Sequence, residues 1–361
     1  MSDLIRVLKI AGMYTAVTLG AGFASGQELL AFFVSHGGKG FAGLLLSGAL
    51  FSLVGWAVLE ICHVKKLNSY NEFIAYIMGR KLGWFIEYSG ALFLFVLFAA
   101  MIAGGGALGN QVFGAPGAAG GGVLIILCFF TFMTGTDFVV KINAVLAPVL
   151  VLGGIFIGVY TFYQNIQPAF FDYGALVRHD WAMSSVVYTA YNLVTAIAVL
   201  ASIRELVRNR AVAFAGGLLG GLSLMILGLC LSLPLYLAHN SIRAFQIPML
   251  ELIASHGAAL EYFYFFILAV AIYTTAVGNC FAFLEWFKSK SGLGGLGGID
   301  KRLAMAIICV LGFAAGQVGF SNFVTGVYPV FAVAGMFEII VILAVFVLIR
   351  MGLYNDKLKM K

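Results

Sequence analysis

Apolar residues fill the chain in runs of about 20 residues or more, separated by short breaks that hold charged or turn-forming residues. A run of this length crosses a bilayer as an α-helix, whereas a membrane β-strand needs only about 10 residues of alternating polarity. The pattern therefore predicts an all-α integral membrane protein with ten transmembrane helices, called spans 1 to 10. Their predicted bounds are 4–34, 40–62, 82–111, 121–138, 142–163, 181–203, 211–238, 258–287, 303–318 and 323–349.

Span 1 contains a polar, glycine-rich interruption at residues 19–28, Leu-Gly-Ala-Gly-Phe-Ala-Ser-Gly-Gln-Glu. Each glycine costs a helix about 1 kcal/mol relative to alanine. A break at membrane depth frees backbone groups that only protein, ions or water can satisfy, so the stretch predicts a binding site near the bilayer midplane. The positive end of the following helix segment could hold a substrate carboxylate, although glycines also serve close helix packing. The candidate substrate ligands are Gly20, Ala21, Gly22, Phe23, Ser25, Gly26 and Gln27.

Two carboxylates fall inside spans, where ionisable groups are usually functional. Glu28 ends the interruption and could serve a substrate ammonium, a gate or a coupling proton; it could also be neutral, or lie in an outer vestibule. Glu338 lies near the middle of span 10 without a cation nearby in sequence. It is a candidate for gating or coupling, and a protonated structural carboxylate is the alternative.

Span 6 carries a polar cluster at mid-depth that we expect to face the interruption of span 1. Tyr188, Tyr191 and Asn192 could contribute hydrogen bonds and cover a substrate side chain. A second interruption is predicted in span 6 opposite the first. The segment has no glycine or proline before Gly216, which argues against unwinding.

Composition and charge agree with a membrane protein. Of 361 residues, 62% are apolar and only 10% are charged, which excludes a water-soluble domain. With both termini cytoplasmic, only Lys39, Arg178 and Arg243 among the basic residues fall on the outer side, as the positive-inside rule requires. The net charge of +6 is dispersed over short loops, so no nucleic-acid partner is indicated. The five cysteines show neither disulfide nor zinc-site spacing, and no cofactor is expected.

Ten spans divide into two sets of five that enter the membrane from opposite sides, the inverted repeat of many secondary transporters. The prediction is one transporter domain over residues 1–361, with repeats at 1–165 and 166–361. No repeated sequence links the two halves. The oligomeric state is open at this point.

The residues of the interruption resemble a known family. Residues 20–23, Gly-Ala-Gly-Phe, are similar to the Gly-x-Gly-Ile-Phe break in helix 1 of the amino acid–polyamine–organocation (APC) superfamily. The full stretch through Glu28 resembles the YkvI-type bacterial membrane proteins, which are regarded as amino acid permeases. Lys141-Ile142-Asn143 resembles the entrance to helix 5 in that superfamily. The resemblance implies a LeuT-type fold with a substrate held between spans 1, 3, 6 and 8.

The resemblance also implies a sodium site. Residues 271–275, Ala-Ile-Tyr-Thr-Thr, match the Ala-x-x-[Ser/Thr]-[Ser/Thr] pattern of sodium-coupled members, and five neutral oxygens suit a hard monovalent cation. The alternative is that both threonines bond back to carbonyls one turn earlier. Sodium is favoured over protons because no Lys or Arg lies between Lys141 and Arg178, where proton-coupled relatives carry a lysine, and because the histidines lie near span ends. The ligands would be Ala16, Leu19, Ala271, Thr274 and Thr275.

These observations predict a secondary active transporter of the bacterial cytoplasmic (inner) membrane. We expect sodium-coupled symport of an amino acid or similar small zwitterion by alternating access. The alternatives are a proton-coupled carrier of another small organic solute and a non-transporting membrane sensor on the same fold. An enzyme is not expected, since no catalytic set such as His with Asp or paired aspartates falls inside the spans.

Overall fold

The computed structural model describes residues 2–134, 180–291 and 298–354, together with some positions between 152 and 163. These residues are α-helical, with short 3-10 and π-helical pieces. Most of predicted span 5, the end of span 4 and Lys141-Ile142-Asn143 lie outside them. The helices are α1 Asp3–Thr18, α2 Ala21–Ala24, α3 Gln27–Phe32, α4 Gly38–Lys65, α5 Tyr70–Phe113, α6 Gly117–Thr134, α7 Trp181–Ser202, α8 Arg210–Leu237, α9 His239–Ile242, α10 Pro248–Ala254, α11 Ala258–Ser291, α12 Gly298–Gly316, α13 Phe320–Asn322 and α14 Tyr328–Arg350.

Several helices are long and apolar enough to cross a membrane. Within the described residues, α4, α5, α7, α8, most of α11 and the run Phe320–Arg350 meet this standard, and shorter apolar helices lie within α6 and α12. Large apolar side chains on α14, such as Val330, Val333 and Ile340, are exposed, as lipid contact requires. The prediction of an all-helical membrane protein is confirmed. The count of ten spans and the inverted repeat stay predictions, because part of the chain falls outside the described residues.

Capping residues and a glycine define where α5 and α8 begin and where α5 is kinked. Ser69 caps α5 by accepting a hydrogen bond from the Glu72 N–H, and Asn209 caps α8 in the same way. Gly79 has a left-handed φ of +73°, which kinks α5 and separates residues 70–78 from the span proper. The kink falls a few residues before the predicted start of span 3, so the first part of α5 lies at the membrane boundary.

The helices pack in two groups that share the broken segment. One group joins α4 to α7 and α8, with α1 packed against α7 and α8; the other joins α5 to α6, α11 and α12. Glycines bring α4 and α8 close together: a Cβ on Gly217 would lie 2.7 Å from the Cα of Trp56, and one on Gly221 would lie 2.7 Å from that of Ser52. The contact is therefore closed to larger residues, and it fixes one wall around α1.

Charged contacts collect at the end of the helices where α1 begins, which we call the N-terminal side. The clearest centre is Glu60 on α4, whose side chain is 2% exposed. It accepts hydrogen bonds from Arg350 at 2.6 Å and from the Trp56 ring nitrogen at 2.7 Å, and Arg210 lies 3.6 Å away. These contacts tie the ends of α4, α8 and α14 together.

Helix α7 is continuous, so the predicted interruption of span 6 is wrong. The polar side chains at mid-depth bond back to the helix that carries them: Thr189 donates to the Ser185 carbonyl at 2.9 Å and Asn192 donates to the Tyr188 carbonyl at 3.0 Å. Without glycine or proline, and with these groups satisfied internally, nothing favours unwinding.

Candidate functional site

The predicted interruption of span 1 is present. Helix α1 ends at Thr18 and α2 begins at Ala21, with Leu19 outside helical geometry at φ −77° and ψ 78°. The Gly20 N–H bonds to the Thr18 carbonyl, two residues back, and the regular ladder is lost. Among the described residues, no hydrogen-bond partner meets the carbonyls of Ala16, Val17 and Leu19 or the N–H groups of Ala21, Gly22 and Phe23. The break therefore offers three bare acceptors followed by three bare donors.

A second interruption follows directly. Gly26 has a left-handed φ of +79°, which only glycine adopts readily, and it separates α2 from α3. Helix α2 is consequently four residues long. The sequence argument that a helix dipole holds a substrate carboxylate is therefore weak, since so few peptide dipoles are aligned. The free N–H groups act as individual donors.

A cavity of about 660 Å³ lies beside the break. Its described walls come from the end of α1, α2, the start of α3, α5, α7, α11 and Tyr328 at the start of α14. Seven of the sequence candidates line it, namely Gly20, Ala21, Gly22, Glu28, Tyr191, Asn192 and Thr275. The structure thus brings residues from spans 1, 6 and 8 to one internal space.

Other candidates lie behind the cavity wall and support it. The Ser25 hydroxyl donates to the Gly22 carbonyl at 2.7 Å, and the Gln27 amide donates to Ser321 at 2.7 Å. Phe23 and Tyr188 are buried in the apolar core, and Gly26 forms the second interruption. These residues shape the broken segment and do not face the cavity.

The candidate ion ligands are divided in this conformation. Thr275 lines the cavity, whereas Thr274 is buried and its hydroxyl donates to the Ala271 carbonyl at 3.2 Å. That bond is the internal one considered as the alternative to an ion site. The carbonyls of Ala16 and Leu19 are free, and α2 packs against α11. The two halves of the candidate site therefore belong to neighbouring elements.

Glu28 is a buried carboxylate at the cavity wall. A Cβ on Gly22 would lie 2.7 Å from the Glu28 Cδ, so the carboxyl group rests directly on the Gly22 backbone. The Tyr191 hydroxyl faces it, and Tyr188 and Tyr328 surround it. Position 22 must be glycine for this arrangement, because any side chain would meet the carboxyl group.

Glu338 lies away from the cavity wall on α14. Its side chain is 1% exposed, and neither carboxyl oxygen meets a hydrogen-bond partner among the described residues. Tyr70, which lines the cavity, interacts electrostatically with Glu338.

The cavity is closed on one side and open on the other. Tyr191 packs against Phe32 and Tyr328 at ring-centroid distances of 5.5 and 5.2 Å, and the Met249 N–H of α10 bonds to the Ser25 carbonyl at 3.0 Å. The opposite end is lined by the charged residues Glu87 and Glu285 and reaches the N-terminal side. Among the described residues, the cavity is thus accessible from that side and closed on the other.

Sequence reasoning missed several residues of the cavity. Tyr328 follows a π-helical stretch, Phe323–Val327, which continuous apolar sequence does not reveal. Trp286 and Tyr70 line the cavity from positions towards the helix ends at the N-terminal side, away from the polar groups at mid-depth. Their aromatic character beside polar neighbours was the available signal.

The fold is similar to that of several solved membrane transporters. A mutant form of the Eremococcus coleocola manganese transporter superposes with a TM-score of 0.60 at 15% identity, covering 92% of this chain and 77% of that one. A Na⁺-coupled sialic acid symporter matches at 0.56 and 12% identity, covering 92% and 74%. Mhp1 in its inward-facing conformation matches at 0.58 and 11%, covering 93% and 75%. These likenesses concern the fold alone.

Two Bacillus subtilis proteins are similar in sequence over most of their length. The uncharacterized membrane protein YkvI is 25% identical over 323 residues, which cover 90% of this chain and 91% of YkvI. The uncharacterized protein YyaD is 24% identical over 332 residues, covering 90% and 92%. No protein-family model matches the chain. The resemblance to YkvI-type proteins is therefore supported, while membership among amino acid permeases is not tested by these relatives.

Proposed function

We propose that this protein is a secondary active transporter that carries an amino acid or a related small ammonium-bearing solute, coupled to sodium, by alternating access. The observation that carries the proposal is the cavity that ends on a broken membrane helix. Such a break exposes backbone groups that a solute and an ion can complete. The fold shared with secondary transporters supports the same class.

Two features support a solute with an ammonium group. Glu28 supplies a carboxylate at the cavity wall, and Asn192 and Thr275 add neutral polar groups. The free N–H groups of the break add donors for an oxygen-bearing end of the solute. A zwitterion could use both, and the amino-acid expectation comes from the family resemblance.

Sodium coupling is supported by the free oxygens around the break. The carbonyls of Ala16 and Leu19 have lost their helical partners, and Thr275 lines the cavity beside the break. Release of the Thr274 hydroxyl from Ala271 would supply another oxygen. Sodium binding would then draw α1 and α11 together, which links ion occupancy to the shape of the solute site.

The second candidate function is proton-coupled transport, and Glu338 favours it. An intramembrane carboxylate without a hydrogen-bond partner is a candidate proton carrier. Manganese transport has no such support, since the described residues contain no group of three or more His, Cys, Asp or Glu that could hold a metal. A non-transporting sensor of the same fold is the further alternative.

The distribution of basic residues indicates how the protein is oriented in the membrane. The N-terminal side carries Arg6, Arg204, Arg208 and Arg210, so we place it in the cytoplasm of a bacterial cell, with the protein in the inner membrane. The cavity then faces inward. An uptake cycle would release its solute from this conformation.

Reconstitution tests the proposal. Purified protein in liposomes is challenged with a panel of labelled amino acids and primary amines, with and without an inward sodium gradient. We expect uphill uptake that requires sodium and is lost in Thr274→Ala/Thr275→Ala. Glu261→Gln, at the far end of α11, is the matched control and should retain uptake. Uptake that follows a proton gradient equally well would reject sodium coupling, and no uptake of any solute would reject transport.

A further inference from the structure

The carboxyl group of Glu28 lies where the carboxylate of an amino acid would be expected. It rests on the Gly22 backbone, with its Cδ 2.7 Å from the position of a Gly22 Cβ. Gly22 also belongs to the run of residues whose N–H groups are free. A second carboxylate brought to these donors would meet a like charge beside a carboxyl group that is buried in the cavity wall, which is costly.

The remaining charges of the cavity leave Glu28 without a counter-charge. Glu87 pairs with Lys290 at 3.0 Å, and Glu285 pairs with Lys288 at 2.6 Å. No Lys, Arg or His is found among the described residues that line the cavity, and Glu28 makes no ion pair with any described residue. Among the described residues, Glu28 is therefore the one carboxyl group of the cavity without a counter-charge, and it lies towards the closed end.

Aromatic side chains surround that group. Phe93, Tyr191 and Tyr328 pack against one another with ring-centroid distances of 5.2 to 6.2 Å. The Tyr328 hydroxyl is fully buried and has no hydrogen-bond partner among the described residues. An ammonium group can donate to the carboxylate and to this hydroxyl while ring faces favour its positive charge.

We propose that the preferred cargo is a small organic cation, an amine with one ammonium group and no carboxylate, whose charge is matched by Glu28. The protein thus provides internally the carboxylate that an amino acid would bring. An apolar or aromatic substituent of the amine would extend towards Leu94 and Leu97 on α5, which line the same cavity. This inference rests on the proposed transport function and narrows its substrate class.

Equilibrium binding tests it. The purified full-length protein in detergent and sodium chloride is titrated by calorimetry with two matched pairs, phenethylamine against phenylalanine and isoamylamine against leucine. We expect each amine to bind at least about tenfold more tightly than its amino acid, the difference expected for one buried charge-assisted contact. Glu28→Gln, which keeps the size of the side chain, should abolish that preference, and Glu261→Gln should keep it.

A change of preference separates a binding role from a structural one. Glu28→Ala removes the internal carboxylate and leaves room beside the free N–H groups, so it should weaken amine binding and strengthen binding of phenylalanine. A variant that is merely destabilised would lose binding of both the amine and phenylalanine, and a lowered apparent melting temperature identifies that case. If Glu28→Ala is destabilised, the preference measured in Glu28→Gln decides whether Glu28 binds the amine. Tighter binding of the amino acids by the wild type would overturn this inference and leave the transport proposal standing. Absence of binding by either class would overturn this inference, and sodium-driven uptake in liposomes would decide separately whether transport survives.

Discussion

The side-chain amide of Gln27 donates a hydrogen bond to the Ser321 hydroxyl across 2.7 Å and joins α3 to α13 at the closed end of the cavity. Gln27 belongs to the broken first span, and Ser321 lies directly before the predicted last span. Both elements must separate if a cavity is to open on the far side. The bond therefore favours the conformation with access from the N-terminal side.

Gln27→Ala should shift the protein towards opening on the far side. A lost hydrogen bond of about 1 kcal/mol corresponds to roughly a fivefold change in the conformational equilibrium. The measurement is the labelling rate of Thr195→Cys in the cavity by an impermeant maleimide from the far side, in a Cys230→Ser background. Ser241→Ala removes an exposed local bond and should not alter the rate. An unchanged rate in Gln27→Ala would show that this bond does not hold the closed end.

Gly22→Ala should abolish cargo binding with little loss of folded protein. The added Cβ would meet the Glu28 carboxyl group and displace it from the backbone. Glu28→Asp shortens that side chain by one methylene, so the double variant should recover part of the binding that Gly22→Ala loses. Binding of phenethylamine by calorimetry gives the comparison. Gly278→Ala, on the cavity wall with open space around the added carbon, is the matched control. If it were as harmful as Gly22→Ala, the steric explanation would fail.

Thr275→Ala should raise the sodium concentration for half-maximal uptake about tenfold, since one neutral oxygen is removed from the proposed ion site. Thr275→Ser keeps the hydroxyl and should behave like the wild type. The assay is labelled-solute uptake into liposomes over a range of sodium concentrations. Equal sodium dependence in both variants would place the ion elsewhere.

Glu60→Leu should destabilise the folded protein. Arg350 and Arg210, whose side chains are 41% and 58% exposed, would lose the carboxylate that binds them but could be hydrated, so the cost is about 1.5–3 kcal/mol, that of a hydrogen bond to a charged group. Arg350→Leu in the same protein removes one of the stranded charges and should restore part of the loss. Apparent melting temperature in detergent is the measurement. A melting temperature in Glu60→Leu equal to that of the wild type would mean that the cluster adds nothing to stability.

The sequence was informative where a residue determines the local backbone conformation by itself. Gly20 and Gly26 disrupt a helix regardless of what surrounds them, so the interruption and its bare peptide groups could be predicted. The same reasoning failed for α7, since the tyrosines and Asn192 looked like part of a break, yet Asn192 bonds within an intact helix. Polarity at mid-depth signals a site, but it does not signal unwinding.

Contacts between distant segments could not be predicted. Glu60 lies 150 residues from Arg210 and 290 from Arg350, and no local pattern pairs them. Tyr328 reaches the cavity because a π-helical stretch precedes it, and this local change of winding leaves no composition signal. Both features arise from packing between elements, which a single sequence does not report.

The bond between the Met249 N–H and the Ser25 carbonyl links the short helix α10 to the peptide group between the two interruptions. Any rearrangement of that peptide group must stretch the bond or carry α10 along. Deuterium uptake at the Met249 amide would therefore follow each step of the transport cycle from a position outside the cavity, leaving the cargo and its ligands untouched.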